Sequence, residues 1–199
     1  MTVDLTDAEL IRRSATEPEL FAVIFDRHVG RVHAFLARRA GRDGADPLTG
    51  ETFRIAFERR ATYRMERLES LPWLYGIANN LLRQHWRGLG RERGAVRRLQ
   101  SRRDPAYEQD DGLLERVAAQ ALWPAVEVGL RTMRPEERDV ILLVAWEELN
   151  YDEVADALEI PVGTVRSRLH RARRQLREQI SPRPQEDDNP TTSGGRCRG

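Results

Sequence analysis

Residues 164–177, TVRSRLHRARRQLR, carry six arginines and one histidine in fourteen positions and no acid. Like charges three or four residues apart on a helix repel by roughly 0.2–0.5 kcal/mol per pair, and a polyanion reverses that sign. Val165, Leu169, Ala172 and Leu176 recur at spacings of four, three and four, which is one packed seam of a helix. With that seam inward, Arg166, Arg168, Arg171, Arg173, Arg174 and Arg177 fall on the remaining faces. Arg166, Ser167, His170 and Arg171 are placed to read base edges in a major groove, with Thr164, Arg168 and Arg174 completing the contact set against the duplex. Just upstream, Tyr151–Leu158 presents Val154, Ala155 and Leu158 on one face, and Glu159-Ile160-Pro161 breaks the pattern. A short helix, a turn and a longer basic helix is the sequence form of a helix-turn-helix, and it points to duplex DNA. The bland alternative is a solvated basic face or a short coiled-coil strand.

A second constellation lies in residues 63–103, where Tyr63, Trp73, Tyr75 and Trp86 interleave with arginines that include Arg64, Arg83 and Arg87. Single-stranded nucleic acid is held by base stacking on aromatics along a basic track. For Trp73 the competing reading is a core residue at a helix start, because its apolar neighbours follow helical spacing.

The elements that must position these groups are helical throughout. Leu20, Phe21, Ile24, Phe25, Val32, Phe35 and Leu36 form one stripe between Glu19 and Ala40. A second helix is expected from about Pro47 to Thr62, with Asp46 as its cap, Pro47 in its first turn, and Leu48, Phe53, Ala56 and Phe57 inward. A third begins near Pro72 and runs through Leu74, Ile77, Ala78, Leu81 and Leu82. Residues 83–103 hold eight arginines and one acid, after which DPAYEQDDG, residues 104–112, turns acidic. Such a shift reads as a linker. Trp123-Pro124 suggests one helix start and Pro135-Glu136-Glu137 another, with Pro and acids where a helix N-terminus favours them. The run VILLVAW, residues 140–146, is apolar on every side and is expected at a buried centre. The expected organisation is all-α: two small helical domains, 1–95 and 123–180, joined by a flexible linker over 96–122, the second domain containing the helix-turn-helix, with a disordered tail over 181–199.

Composition narrows the function classes. The 199 residues carry 33 basic and 32 acidic groups, so electrostatic function lies in local clustering. Every basic residue other than histidine is Arg, more simply a matter of codon supply than of function. The single cysteine, Cys197, allows no internal disulfide and no cysteine-based zinc site, which suits a reducing cytoplasm. The opening MTVDLTDAELIRR does not read as a signal peptide, and no apolar run is long enough for membrane insertion. His28, His33, His85 and His170 show no HExxH spacing, adjacent acids are better read as helix-end charge, and Gly88-Leu89-Gly90 lacks the third glycine of a dinucleotide loop. The expectation is a non-enzyme with no catalytic residue, cofactor or metal.

Residues 133–177, MRPEERDVILLVAWEELNYDEVADALEIPVGTVRSRLHRARRQLR, resemble the fourth region of bacterial extracytoplasmic-function sigma factors, with VGTVRSRLHRAR the most recognisable string. DPLTGETFRIAF resembles that family's segment that grips the polymerase clamp, and PWLYGIANNLLRQHWR its promoter-melting segment. The resemblance spans roughly residues 18–95 and 123–178. It implies that the second domain reads the −35 element as duplex, and that the first opens and reads the −10 element through Tyr63, Arg64, Trp73, Tyr75, Asn79, Asn80, Arg83 and Arg87, with Asn80 at the pocket for a flipped base. Asp46, Leu48, Glu51 and Phe53 correspond to the polymerase-contacting segment. Core RNA polymerase, through its β′ clamp and β flap, and promoter DNA are the implied partners, with an anti-sigma factor as a possible third. The sequence departs from the family at Gln84, where Asp is usual, at Gly50, where Gln is usual, and at Glu159, in a turn position often held by Gly. The rival reading is a stand-alone helix-turn-helix regulator that binds duplex DNA without polymerase.

Overall fold

The computed structural model describes residues 5–96 and 116–180, with side chains described over 5–88 and 122–180. Most of the expected linker, the tail and Cys197 lie outside the described residues. Among the described residues every regular element is helical: α1 Asp7–Arg13, α2 Phe21–Ala40, α3 Arg42–Arg59, α4 Leu71–Val96, α5 Arg116–Thr132, α6 Pro135–Ala145, α7 Tyr151–Leu158 and α8 Val162–Ile180. None is long and apolar enough to cross a membrane.

Helices α1 to α4 share one core. The stripe on α2 buries Ile24, Val32, Phe35 and Leu36 against Ala45, Phe53 and Ala56 of α3 and Leu74 and Ala78 of α4. Two edge-to-face pairs, Phe21 with Phe57 at 5.4 Å and Phe25 with Phe53 at 4.8 Å, fix the register of α2 on α3. Helix α1 is not foreseen by periodicity, because seven residues are too few to display it. It is nonetheless capped by Thr6, whose hydroxyl accepts the Glu9 N–H, and it buries Leu10 and Ile11. Asp7 at its first position reaches across the domain, accepting the Ser70 N–H at 3.0 Å and the Ser70 hydroxyl at 2.8 Å. The same carboxylate meets His28 at 2.6 Å and Arg27 at 3.0 Å. Burial works against its charge, but the hydrogen bonds from His28 and Ser70 outweigh burial and hold the Asp7 carboxyl well below the ordinary carboxylate range.

Two helix starts differ from expectation. Helix α3 begins at Arg42, with Gly41 (φ 72°) as its cap, and continues through Pro47. Proline has no N–H, so the helix gives up the one bond that would reach the Asp43 carbonyl; Asp46, freed from capping, instead accepts from His33 of α2 at 2.8 Å. Helix α5 likewise runs through Pro124, starting inside the expected linker rather than at Trp123. Packing of its far end, where Leu130 and Met133 are buried, carries the cost of the proline.

Helices α5 to α8 form the second core, built from Leu130, Met133, Val140, Leu143, Val154, Val165, Leu169 and Ala172. Asn150 and Glu153 cap α7 reciprocally: the Asn150 side chain accepts the Asp152 and Glu153 N–H groups at 3.0 Å, and Glu153 accepts the Asn150 N–H at 2.8 Å. Helix α7 ends on Glu159, which takes the left-handed conformation (φ 54°, ψ 44°) expected of that turn position, while the Ile160 N–H closes back on the Ala155 carbonyl at 2.9 Å. This turn aims α8 across α6.

Candidate nucleic-acid interface

Helix α8 carries the expected seam. Val165, Leu169 and Ala172 are buried and Leu176 is half-buried, while Arg166, Ser167, His170, Arg171 and Arg174 are exposed and Thr164 and Arg168 are half-buried. The exposed set forms a continuous cationic face. Within it Arg171 is distinct: its Nε donates at 2.7 Å to Oε1 of Glu137, a carboxylate only 7% exposed. Glu137 reads from sequence as a helix-start charge, but the chain bends so that it meets a residue 34 positions later. One edge of the Arg171 guanidinium is thus fixed within the domain, and its two terminal nitrogens are left for an outside acceptor.

The first domain's candidates separate into two groups. Arg64, Asn80 and Arg87 are exposed, and Trp73 and Arg83 are half-buried. Tyr63, expected as a stacking surface, is buried instead: its hydroxyl donates to the carbonyls of Arg67 (2.8 Å) and Glu69 (2.9 Å), and its ring meets Trp73 edge-on at 5.2 Å. It closes the 63–70 loop and offers no face for a base. Tyr75 and Asn79 are also buried, at 0% and 1% exposure: the Tyr75 ring packs on Phe35 at 4.8 Å, and the polar ends of both residues meet the second domain.

That cover is built from acids. The Tyr75 hydroxyl donates at 2.6 Å to Glu147, which also pairs with Arg38. The Asn79 amide donates at 3.1 Å to Asp139 and accepts from Arg39 at 3.1 Å, and Arg83 Nε donates to the same Asp139 oxygen at 2.8 Å. Arg67 pairs with Asp156 of α7. Burial, then the hydrogen bond to Glu147, raises the Tyr75 phenol above its ordinary value, so it remains a donor. Clefts of about 480 and 600 Å³ flank the contact, the first lined by Arg64, Trp73 and Asn80, the second by Arg83, Trp86 and Arg87. The all-round apolar run on α6 follows from this arrangement, since Val140 and Leu143 are buried in the second core while Leu142 lines the cleft shared with Arg38 and Leu82.

On α3, Asp46 is exposed, Leu48 and Glu51 are half-buried, and Phe53 is a core residue that meets Phe25 edge-to-face. Glu51 is paired with Arg54 at 2.6 Å, and that hydrogen bond lowers its pKa. Phe25, 41% exposed beside this segment, is a surface aromatic that the α2 stripe had placed inward.

The family model described as Sigma-70 region 2 matches residues 24–92, and the one described as Sigma-70, region 4 matches residues 125–176. The chain is 31% identical over 156 residues to the ECF RNA polymerase sigma factor SigE of Mycolicibacterium smegmatis, covering 78% of this chain and 59% of that protein. It is 30% identical over 163 residues to the RNA polymerase sigma-E factor of Streptomyces coelicolor, covering 80% of this chain and 87% of that one. The chain belongs to the extracytoplasmic-function group of the sigma-70 family. Solved structures share the sigma factor's fold. The Bartonella quintana sigma factor RpoE, in complex with the anti-sigma factor NepR, aligns with a TM-score of 0.62 at 21% identity over 80% of this chain and 96% of that one. CnrH, in complex with the cytosolic domain of CnrY, aligns with a TM-score of 0.57 at 24% identity over 86% and 95%.

Proposed function

We propose that this sigma factor directs core RNA polymerase to promoters by splitting recognition between two kinds of nucleic acid. Helix α8 enters the major groove of the −35 duplex, with Arg166, Ser167, His170 and Arg171 toward base edges and Thr164, Arg168 and Arg174 toward phosphates. The observation that carries this reading is the arginine-rich face of α8, with Arg166, His170, Arg171 and Arg174 exposed to solvent while its apolar seam is buried. On the first domain, Asn80, Arg64 and Arg87 are reachable as they stand, and Trp73, Tyr75, Asn79 and Arg83 join them when the −10 strands are parted; an exposed amide beside guanidinium groups suits a base edge and its phosphates. Asp46, Leu48 and Glu51, with Phe53 supporting them from the core, form the surface offered to the β′ clamp, and the second domain meets the β flap. The protein contributes binding energy and strand separation to a reaction catalysed by polymerase, and it is not itself an enzyme. It therefore works in the cytoplasm. The structural relative RpoE is described in complex with the anti-sigma factor NepR, which supports an anti-sigma factor as a further partner.

Reconstituted run-off transcription tests the reading. Core RNA polymerase is incubated with the purified protein on a library of randomised templates. The expected outcome is protein-dependent transcripts whose templates share an upstream and a downstream element. Duplex binding without any stimulation of core enzyme would instead identify a stand-alone regulator.

A further inference from the structure

Arg166, Ser167, His170 and Arg171 share one exposed stripe of α8, yet their side chains are not equally free. The seam residues Leu169 and Ala172, on either side of Arg171 along the chain, are buried where α8 packs on α6, and they fix the position of its Cα. At the far end of the side chain, Nε donates to Glu137 at 2.7 Å. Glu137 is itself fixed. It lies in the first turn of α6, where the helix dipole favours an anion; its N–H donates to the Arg134 carbonyl at 3.0 Å, and it is only 7% exposed. Held at both ends, the Arg171 guanidinium has its plane set before any ligand arrives, while its side chain remains 47% exposed. The other arginines of the face lack such a tie. Arg166 and Arg168 have no ion-pair partner among the described residues, and Arg174 stands 3.8 Å from Glu178 with the two side chains 63% and 68% exposed.

We infer that Glu137 is a positioning residue for sequence readout: it presets Arg171 for one base pair of the duplex and holds that arginine back from the phosphates. This rests on the proposed entry of α8 into the major groove. A base edge presents its acceptors in one plane, which suits a planar fork of fixed orientation, whereas a phosphate takes a cation from many directions. A free arginine must be ordered as it binds, which lowers affinity by about two- to tenfold, and the bond to Glu137 supplies that order in advance. The carboxylate also offsets the Arg171 charge and so weakens its pull on phosphate, the source of affinity without sequence. The pair therefore strengthens discrimination and weakens non-specific binding. A contact that served stability alone would, when broken, move both in the same direction.

The full chain is tested in two ways. Bound to core RNA polymerase, it selects from templates whose upstream helical turn is randomised, and sequencing gives the discrimination at each base pair. Alone, it is titrated by fluorescence anisotropy onto a duplex of unrelated sequence at several salt concentrations. Glu137→Gln is compared with the parent, with circular dichroism to confirm unchanged helicity; Glu137→Asp, which keeps the charge and withdraws it by one methylene, serves if the first fails to fold. In either variant discrimination is expected to fall by about tenfold at a single base pair, the one that Arg171→Ala also releases, and to persist at the pair released by Arg166→Ala. In Glu137→Gln the affinity for the unrelated duplex should rise, and the slope of log affinity against log salt should steepen by about one. Adding Glu137→Gln to Arg171→Ala should change neither readout further, as follows if Glu137 acts through Arg171. An unchanged selection profile overturns the positioning role, and so does a loss of discrimination matched by an equal loss of affinity for the unrelated duplex. A parent that enriches no upstream element refutes the entry of α8 into the groove itself, and the role of Glu137 with it.

Discussion

Helices α8 and α4 are both arginine-rich rods with an apolar seam, yet they meet the solvent differently. The seam of α8 is consumed within its own domain, and its cationic face stays open. Helix α4 is packed on two sides, by α2 and α3 within its domain and by α7 from outside, with Asp139 of α6 bonded to its Asn79, so Tyr75 and Asn79 lose their solvent. Positive charge and aromatic content therefore identify a nucleic-acid surface without saying whether it is available. Availability depends on what else in the chain carries complementary charge, and here α6, the turn after it and α7 supply Asp139, Glu147 and Asp156.

The comparison is broken most severely at the start of α4, which hangs on Asp7. Asp7→Ala leaves the Ser70 N–H and hydroxyl and the His28 ring without their shared acceptor, and is expected to cost the first domain about 3 kcal/mol in a urea titration. Duplex binding by α8 should survive it. The same carboxylate gives the first domain an acid limit. Because the Asp7 pKa is depressed on folding from its ordinary 3.8, its contribution is complete above about pH 4 and is lost as pH falls toward the folded value. Stability against pH should fall below pH 4 more steeply in the parent than in Asp7→Asn; parallel curves would rule Asp7 out as the titrating group.

A smaller effect sharpens the view of α8. Arg166→Ala and Arg171→Ala remove the same charge, but only the second strands a buried Glu137. Arg171→Ala is expected to lower the stability of the second domain by about 2 kcal/mol as well as weakening duplex binding, whereas Arg166→Ala weakens binding by about 1–3 kcal/mol with the melting curve unchanged. Equal thermal shifts in the two would show that the Glu137 pair carries no stability. Smallest of all, Glu159→Gly relieves a left-handed residue at the turn between α7 and α8 and should stabilise the domain by under about 1 kcal/mol in thermal denaturation, without altering the affinity of α8 for duplex.

Much of the architecture is local and so was readable from residue order. The α8 seam, the break at Glu159-Ile160-Pro161, the α2 stripe and the buried run on α6 are patterns within a few turns of chain, where side-chain period and turn chemistry leave little choice. The starts of α3 and α5 were misplaced because proline marks a helix boundary only statistically, and tertiary packing can carry a helix through it. Helix α1 was missed because its stability comes from what Leu10, Ile11 and Asp7 touch elsewhere, not from a repeat of its own.

Residue order alone thus determined an all-helical chain with a cationic reading helix, since helix period, capping and charge density act over neighbouring residues. Tertiary structure decided which candidates are open and which are covered. Tyr63 turned inward to close its loop, Arg171 was tied to a carboxylate 34 residues away, and Tyr75 and Asn79 met acids 72 and 60 residues away. Those pairings join groups whose separation along the chain carries no signal, and only folding brings each donor to its acceptor.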